Sequence, residues 1–161
     1  MVTMITRTAE RTVRTLLRGF PVVTITGPRQ SGKTTLAKAV FGRRPYASLE
    51  DPDLREAAQE DPRSFLGRFP DGAVLDEVQR CPDLLSYLQT ITDADGRMGL
   101  YVLAGSQQFG LMSKITQSLA GRTAFVELLP FSVAELGQAG KLPSTLDAML
   151  LKGFWGRLSL P

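Results

Sequence analysis

One segment of the chain combines residue types that could hold phosphate groups. Residues 27–34 are Gly-Pro-Arg-Gln-Ser-Gly-Lys-Thr and match the consensus G-x-x-x-x-G-K-[ST] at every defined position. Glycine lets backbone N–H groups approach phosphate oxygens, and the lysine neutralises part of their charge. The hydroxyl of Thr34 is of the type that holds Mg²⁺ beside a phosphate. The segment therefore predicts a site for the phosphates of a nucleotide, with Mg²⁺ as cofactor.

The flanks of this segment agree with that interpretation. Residues 22–26 (VVTIT) form a predicted strand, and the residues after Gly32 have the apolar spacing of a helix. The competing explanation is a glycine-rich turn with a solvated lysine, which the complete match and its strand-to-helix context disfavour. The predicted nucleotide-binding residues are Gly27, Pro28, Arg29, Gln30, Ser31, Gly32, Lys33, Thr34 and Thr35.

A pair of acidic residues follows another apolar run. Asp76 and Glu77 end the segment Gly-Ala-Val-Leu-Asp-Glu, which has the composition of a buried strand. An aspartate there can hold Mg²⁺ through water, so Thr34 and Asp76 are the predicted metal residues. Glu77 can polarise a water molecule that attacks a phosphate. The alternative is a plain acidic turn at a strand end, and the phosphate-binding motif upstream favours the functional role.

Two further polar residues lie next to predicted strands. Ser106 follows the run Tyr-Val-Leu-Ala-Gly and would emerge beside the aspartate, where it could contact the water or the outermost phosphate. A helix-capping role explains Ser106 equally well. Arg122 precedes the fifth predicted strand and could reach a phosphate in a neighbouring subunit, or form a surface ion pair of small energetic value. Glu77, Ser106 and Arg122 are the predicted catalytic residues.

The elements that must position these residues alternate along the chain. Strands are predicted at 22–26, 46–50, 72–77, 100–106 and 123–129, and helices at 7–18, 32–41, 107–120 and 132–140. Three more helices are predicted to begin at Pro52, Pro62 and Pro82, since proline suits the first helical position. This order predicts an α/β fold, a three-layer sandwich with a five-stranded, mainly parallel sheet and helices on both faces. Ligands of such sheets bind at the carboxyl ends of the strands.

Composition narrows the classes of function. The 161 residues fit about one domain, and the net charge of +3 is compatible with an anionic ligand. The chain contains no histidine, which excludes histidine-based metal sites and general bases, and a single cysteine, which excludes an internal disulfide. No apolar run approaches the roughly 18 residues of a membrane span. The N-terminus carries charges where a signal peptide is apolar, so a cytoplasmic protein is expected.

The N-terminal segment carries a row of basic side chains. Arg7, Arg11, Arg14 and Arg18 fall at steps of three and four along one predicted helix face. Such a row could contact nucleic acid, but no clustered aromatic residues accompany it, and a solvated helix face is the favoured explanation. Glu10 is placed to pair with Arg14 one helical turn away.

Several motifs together resemble a known family. The segments "TGPRQSGKTTL", "SLEDPDLREAAQEDPRSFL", "VLDEVQRCPDLLSYLQ", "LAGSQQF" and "SLAGRTAFVELLPFSVAEL" are similar to those of prokaryotic AAA-type ATP-binding proteins. The resemblance covers about residues 7 to 140, in order. Only the phosphate-binding motif is widely shared with other P-loop proteins, and the later motifs narrow the family.

The resemblance carries expectations about residues and domains. It implies that Lys33 and Thr34 belong to Walker A, Asp76 and Glu77 to Walker B, that Ser106 is similar to a sensor-1 residue, and Arg122 to an arginine finger. It also implies a homo-oligomer with nucleotide between subunits, and a C-terminal domain of unknown function. The expected organisation is a basic amphipathic helix at 1–20, a P-loop AAA-type ATPase core at 21–140, and the start of a missing lid or C-terminal region at 141–161.

Three functions remain open from the sequence. The favoured one is a Mg-ATP-dependent ATPase that couples ATP to a conformational change in an attached or partner domain. A P-loop kinase for a small molecule is disfavoured, because Glu77 directly after Asp76 suits water as the acceptor. A nucleotide-controlled binding module with little hydrolysis is the third. GTP is disfavoured, because the guanine-reading N-K-x-D element needs an asparagine and the chain has none.

Overall fold

The computed structural model describes residues 5–106, 109–142 and 145 of the chain. The strands, in chain order, are β1 (Val22–Thr26), β2 (Tyr46–Ser48), β3 (Ala73–Asp76), β4 (Tyr101–Ala104) and β5 (Thr123–Glu127). The helices are α1 (Ala9–Leu16), α2 (Lys33–Phe41), α3 (Pro52–Glu60), α4 (Pro62–Gly67), α5 (Leu84–Asp95), α6 (Phe109–Ser118) and α7 (Val133–Gln138). One turn of 3₁₀ helix, Val78–Arg80, follows β3. The described part of the chain excludes Gln107 and Gln108, the predicted start of the helix at 107–120. It also excludes all of 143–161 except residue 145.

The five strands form one parallel sheet in the order β2-β3-β4-β1-β5. The predicted α/β fold with a parallel sheet is confirmed. The register aligns Ile25 of β1 with Ala104 of β4, and Ala104 with Asp76 of β3. The three strands therefore end at the same level, and the loops that follow them leave from one edge of the sheet.

Strand side chains alternate between two apolar layers, because successive residues of a strand point to opposite faces. Val23 of β1 and Val74 of β3 belong to a layer that includes α1 and α2. Val22 and Leu75, one position away, belong to a layer that includes α3 to α6. This alternation accounts for the three-layer arrangement expected from the sequence.

Two of the three proline-led helix starts are as predicted. The side chain of Asp51 accepts hydrogen bonds from the first turn of α3, and that of Asp61 caps α4. The prediction for Pro82 is wrong, because α5 begins at Leu84. Pro82 instead lies in a turn whose carbonyl accepts the N–H of Leu85.

The predicted row of exposed arginines is wrong at its first member. Helix α1 begins at Ala9, and Arg7 precedes it with only 9% of its surface exposed. The side chain of Arg14 pairs with Glu10, as expected, and also donates to backbone carbonyls at the end of α2. Arg11 and Arg18 are exposed. Arg7 departs from the row because buried acceptors elsewhere in the fold bind it.

None of the helices in the described part of the chain has the length and apolar content needed to cross a membrane.

The turn before β3 brings two backbone segments into close contact. Gly72 has a φ of +87°, and a Cβ atom on it would lie 1.7 Å from the carbonyl oxygen of Leu100. That carbonyl accepts the N–H of Ala73, so it cannot move without breaking the connection between β3 and β4. Only glycine fits this position.

We expect Gly72→Ala to lower the free energy of unfolding by more than about 3 kcal/mol, since it combines a backbone clash with a strained φ. Gly67→Ala is the matched control. It lies at the end of α4, has nothing within 4 Å of its added Cβ, and should change stability by less than about 1 kcal/mol. Urea denaturation of both variants measures the difference, and equal stabilities would contradict the tight approach of Gly72 to Leu100.

Candidate phosphate-binding site

The loop between β1 and α2 contains backbone conformations that favour glycine. Gly27 has a φ of +147°, and a Cβ there would lie 2.2 Å from the carbonyl oxygen of Leu128. Gln30 and Gly32 also have positive φ values, 62° and 90°. The loop therefore makes a tight turn and leads directly into α2, as the motif predicts.

The start of α2 exposes a set of unpaired backbone donors. In the described part of the chain, the N–H groups of Gly32, Lys33, Thr34 and Thr35 have no hydrogen-bond acceptor. The first N–H groups of a helix lack partners within the helix, and here no side chain caps them. These donors and the partial positive charge of the helix terminus are suited to hold an anion at the carboxyl edge of the sheet.

Lys33 lies within the same loop. Its side chain is buried, and Nζ donates to the carbonyl oxygens of Gly27, at 3.0 Å, and Pro28, at 2.7 Å. Burial lowers the pKa of Lys33, and the charges of Glu77 and Asp76 act in the opposite direction. The ammonium group is thus held inside the loop, close to two carboxylates.

The remaining predicted loop residues divide between the interior and the surface. Ser31 is fully buried, and its Oγ has no hydrogen-bond partner among the described residues. Pro28 and Gly32 are half-buried, whereas Arg29, Gln30 and Thr35 are exposed. The positive charge of Arg29 contributes to the lowered pKa of Lys33, so the exposed tip of the loop is electrostatically part of the site.

Asp76 is buried and accepts three hydrogen bonds. Oδ2 accepts from the hydroxyl of Thr34 at 2.6 Å and from the hydroxyl of Tyr46 at 2.9 Å, and Oδ1 accepts from the backbone N–H of Glu77 at 3.0 Å. The two predicted metal residues, Thr34 and Asp76, are therefore in direct contact. Their oxygens are the hard ligands that Mg²⁺ prefers.

The protein oxygens alone do not make a complete metal site. The described residues include no group of three or more His, Cys, Asp and Glu side chains that could hold a metal ion. Mg²⁺ usually keeps several waters and binds through one or two protein oxygens plus the phosphates of a substrate. The Thr34–Asp76 pair fits that mode of binding.

Tyr46 belongs to this cluster, although no sequence motif indicated it. It lies on β2, and the pairing of Tyr46 with Val74 sets its ring beside the end of β3. Burial, followed by the Asp76 charge, raises the pKa of Tyr46 to about 12, so the phenol stays protonated and donates to Asp76. Nζ of Lys38 lies 3.6 Å from the centre of the ring. A tyrosine in a predicted strand gives no signal of this role until the strand order is known.

Glu77 and Ser106 are brought together through a third residue. Gln79 Nε2 donates to the Glu77 carboxylate and, at 3.3 Å, to Ser106 Oγ. Glu77 has a φ of +55°, which turns the chain sharply after β3 and starts the 3₁₀ turn that contains Gln79. Oε1 of Gln79 is buried without a partner among the described residues. No sequence motif indicated Gln79, although it lies only two residues after Glu77.

Arg122 lies far from this site within its own chain. Its carbonyl accepts the N–H of Val22, so it marks the amino end of the sheet, whereas the phosphate loop leaves the carboxyl end of β1. The five residues of β1 separate the two edges by about 15 Å. The guanidinium forms a two-point ion pair with Asp93 on α5 and holds the pKa of that carboxylate below its ordinary value.

Comparison with known proteins agrees with this geometry. The family model described as an AAA domain matches residues 19–137. Uncharacterized proteins of Mycobacterium tuberculosis and Mycobacterium bovis are each 33% identical over 148 residues, which cover 91% of this chain and 32% of the relative. The chain thus spans about a third of the length of these curated relatives.

A solved structure shares the fold. A Walker-type ATPase of Pyrococcus abyssi aligns with a TM-score of 0.61 over 95% of this chain and 65% of that chain, at 17% identity. At this identity the likeness concerns the fold alone. The family model covers most of the chain and includes the phosphate loop, β3 and β4, and so the chain belongs to the AAA domain family.

Proposed function

We propose that the chain binds Mg-ATP at the start of α2 and hydrolyses it. The observation that carries this proposal is the convergence at one sheet edge of unpaired N–H groups, the Lys33 ammonium and the Thr34–Asp76 pair. Together these groups match the negative charge, the acceptor oxygens and the magnesium of a nucleoside triphosphate. Adenine is proposed as the base from family membership and from the absence of asparagine, which a guanine-reading element needs.

Each residue has a proposed part in binding. The N–H groups of Gly32 to Thr35 would bind phosphate oxygens, and Lys33 would move from its carbonyl partners to the outer phosphates. Thr34 and, through water, Asp76 would hold Mg²⁺, which when bound neutralises charge on the phosphates. Tyr46 would keep one oxygen of Asp76 occupied and so fix the rotamer of that carboxylate.

The proposed chemistry is transfer of the γ-phosphoryl group to water. Glu77 would orient the attacking water and accept its proton as the oxygen bonds to phosphorus and the bond to the β-phosphate breaks. Gln79 holds Glu77 beside Ser106, whose hydroxyl is placed to contact the water or the outermost phosphate. ADP and inorganic phosphate are the products.

Hydrolysis would need a neighbouring chain. Arg122 cannot reach the phosphate loop of its own chain, because the two lie at opposite edges of the sheet. We therefore propose a homo-oligomer in which Arg122 of one copy reaches the nucleotide of the next. An isolated copy would then act as a nucleotide-controlled binding module with slow turnover, which is the second candidate function. In either case ATP would drive a conformational change passed to an attached or partner domain.

We expect Lys33→Ala to weaken Mg-ATP binding tenfold or more, a loss of at least about 1.4 kcal/mol, since it removes the charge held inside the loop. Lys114→Ala is the control, because Lys114 lies on α6 and pairs loosely with Asp83 on the surface. Isothermal titration calorimetry with each variant measures the affinities. Equal affinity of wild type and Lys33→Ala would remove the basis of the proposed site.

Glu77→Gln should retain ATP affinity, or increase it, and lower the hydrolysis rate by roughly 10²- to 10⁴-fold, since the amide keeps the shape of the carboxylate but takes no proton. Glu50→Gln serves as the control, because Glu50 follows β2 at the same sheet edge and is exposed. A phosphate-release assay measures the hydrolysis rates of the two variants. Parent-level hydrolysis by Glu77→Gln would assign the glutamate a structural role.

Arg122→Ala should leave ATP affinity nearly unchanged and remove any rise of specific activity with protein concentration, since a guanidinium acting across an interface contributes about 10³- to 10⁵-fold in rate. Mixing Arg122→Ala with Glu77→Gln tests the assignment, because mixed interfaces would pair an intact glutamate with an intact arginine. Recovery of activity in the mixture is expected. A mixture that stays inactive while wild type responds to concentration would show that Arg122 does not act between chains.

A further inference from the structure

Arg7 occupies a buried position that the proposed chemistry does not use. It precedes α1, yet its guanidinium lies between the phosphate loop and the chain that follows β5. Nη1 donates to the carbonyl oxygen of Ser31 at 3.0 Å, and Nη2 donates to that of Leu129. One side chain thus connects two segments that are remote in sequence.

The segment after β5 surrounds the rest of the guanidinium. Nε of Arg7 lies 3.3 Å from Oε1 of Glu135, an ionic contact that does not meet hydrogen-bond geometry. The ring of Phe131 stacks on the guanidinium, with 4.3 Å between its centre and Cζ. We call residues 129–135 the post-β5 segment, because every one of these contacts outside the phosphate loop comes from it.

Glu135 is itself fixed by several donors. Its carboxylate accepts the backbone N–H of Thr8 at 2.8 Å and that of Ser132 at 2.9 Å, and its own N–H donates to the Ser132 hydroxyl, which completes a capping box at α7. Burial acts to raise the pKa of Glu135, but these N–H groups and the charge of Arg7 outweigh it and lower the pKa. The carboxylate is therefore ionised and held in place opposite Arg7.

A buried charge pair of this kind needs a reason beyond stability. Replacing a buried ion pair by apolar groups is often neutral or stabilising, whereas an arginine offers several donors in one plane. The donors of Arg7 are directed at carbonyls of both the loop and the post-β5 segment. That distribution suits a connector between two backbones better than an isolated ion pair.

The contact with Ser31 has a consequence for the loop. A trans peptide directs its C=O and the N–H of the next residue to opposite sides. A hydrogen bond that holds the carbonyl of Ser31 toward Arg7 therefore directs the N–H of Gly32 away from Arg7. This N–H is one of the unpaired donors at the start of α2.

We propose that Arg7 is a positioning residue that orients the Ser31–Gly32 peptide for phosphate and links occupancy of the phosphate loop to the packing of the post-β5 segment. The proposal rests on the proposed binding of ATP at this loop. Linkage is reciprocal, so a nucleotide that fixes the loop also stabilises the post-β5 segment, and loosening the segment weakens nucleotide binding by the same factor.

The test uses the 161-residue chain with Arg7→Lys, which keeps a positive charge but cannot reach all of these acceptors at once. Arg14→Lys is the matched control, because Arg14 also combines a carboxylate partner with two backbone carbonyls, but at the end of α2. We expect Arg7→Lys to weaken Mg-ATPγS binding about tenfold, as for the loss of an oriented donor, and Arg14→Lys to change it less than about twofold. Isothermal titration calorimetry gives both values.

Hydrogen exchange of the post-β5 segment distinguishes positioning from general support of the fold. In wild type, Mg-ATPγS should slow exchange in this segment, and in Arg7→Lys that nucleotide-dependent slowing should disappear. A merely structural arginine would speed exchange equally with and without nucleotide, and would leave the slowing in place. Glu135→Gln changes the partner of Arg7 in the post-β5 segment and should also weaken nucleotide binding. The proposal therefore stays testable if Arg7→Lys folds poorly.

The outcomes distinguish failure of the role proposed for Arg7 from failure of the proposed ATP binding. If wild type does not bind Mg-ATPγS, or Lys33→Ala binds it equally well, the proposed function fails. If wild type binds and Lys33→Ala binds at least tenfold more weakly, but Arg7→Lys and Glu135→Gln match Arg14→Lys in affinity and retain the slowing of exchange, the role of Arg7 is overturned.

Discussion

The parallel register of β3, β4 and β1 is the constraint on which the site depends. It sets Asp76, Ala104 and Ile25 at one level, so the residues that follow them emerge together at the carboxyl edge. A shift of one residue between β3 and β1 would turn Asp76 to the opposite face, because strand side chains alternate. The 2.6 Å contact between Thr34 and Asp76 depends on this register.

Turns with positive φ values also position the residues of the site. Gly27 lets the chain leave β1 against the carbonyl of Leu128, and Gly32 lets it enter α2 without a capping side chain. Glu77 adopts a left-handed conformation that most residues avoid, and it does so at the end of β3, where its carboxylate meets Gln79. Strain of this kind persists where surrounding structure fixes it, and the two described non-glycine residues with positive φ, Gln30 and Glu77, both follow strands at this edge.

The sequence predicted the parts of the site that are local in the chain. The phosphate loop, the acidic pair at the end of β3 and the helix caps at Asp51 and Asp61 each depend on a few neighbouring residues, and local chemistry is enough to predict them. The start of α5 was wrong by two residues, because proline is as compatible with a turn as with a first helical turn.

The parts that the sequence did not predict depend on contacts between distant segments. Tyr46 reaches Asp76 only because β2 pairs with β3, a choice of neighbour that no local pattern encodes. Arg7 has a helical spacing relative to Arg11 and Arg14, which favoured an exposed face. Its burial is explained by acceptors at Ser31 and Leu129, more than twenty and more than a hundred residues away.

Two clusters of buried charged side chains both contact the phosphate loop. On one side Lys33 lies near Asp76 and Glu77, and on the other Arg7 contacts Glu135. Between them runs the peptide of Ser31 and Gly32. After β5 the chain lies beside this loop, since the N–H of Leu128 donates to Thr26 at the end of β1 and its carbonyl lies close to Gly27, and the chain then enters α7. The role proposed for Arg7 would thus connect the phosphate loop with the segment that leads into α7 through one guanidinium, without passing across the sheet.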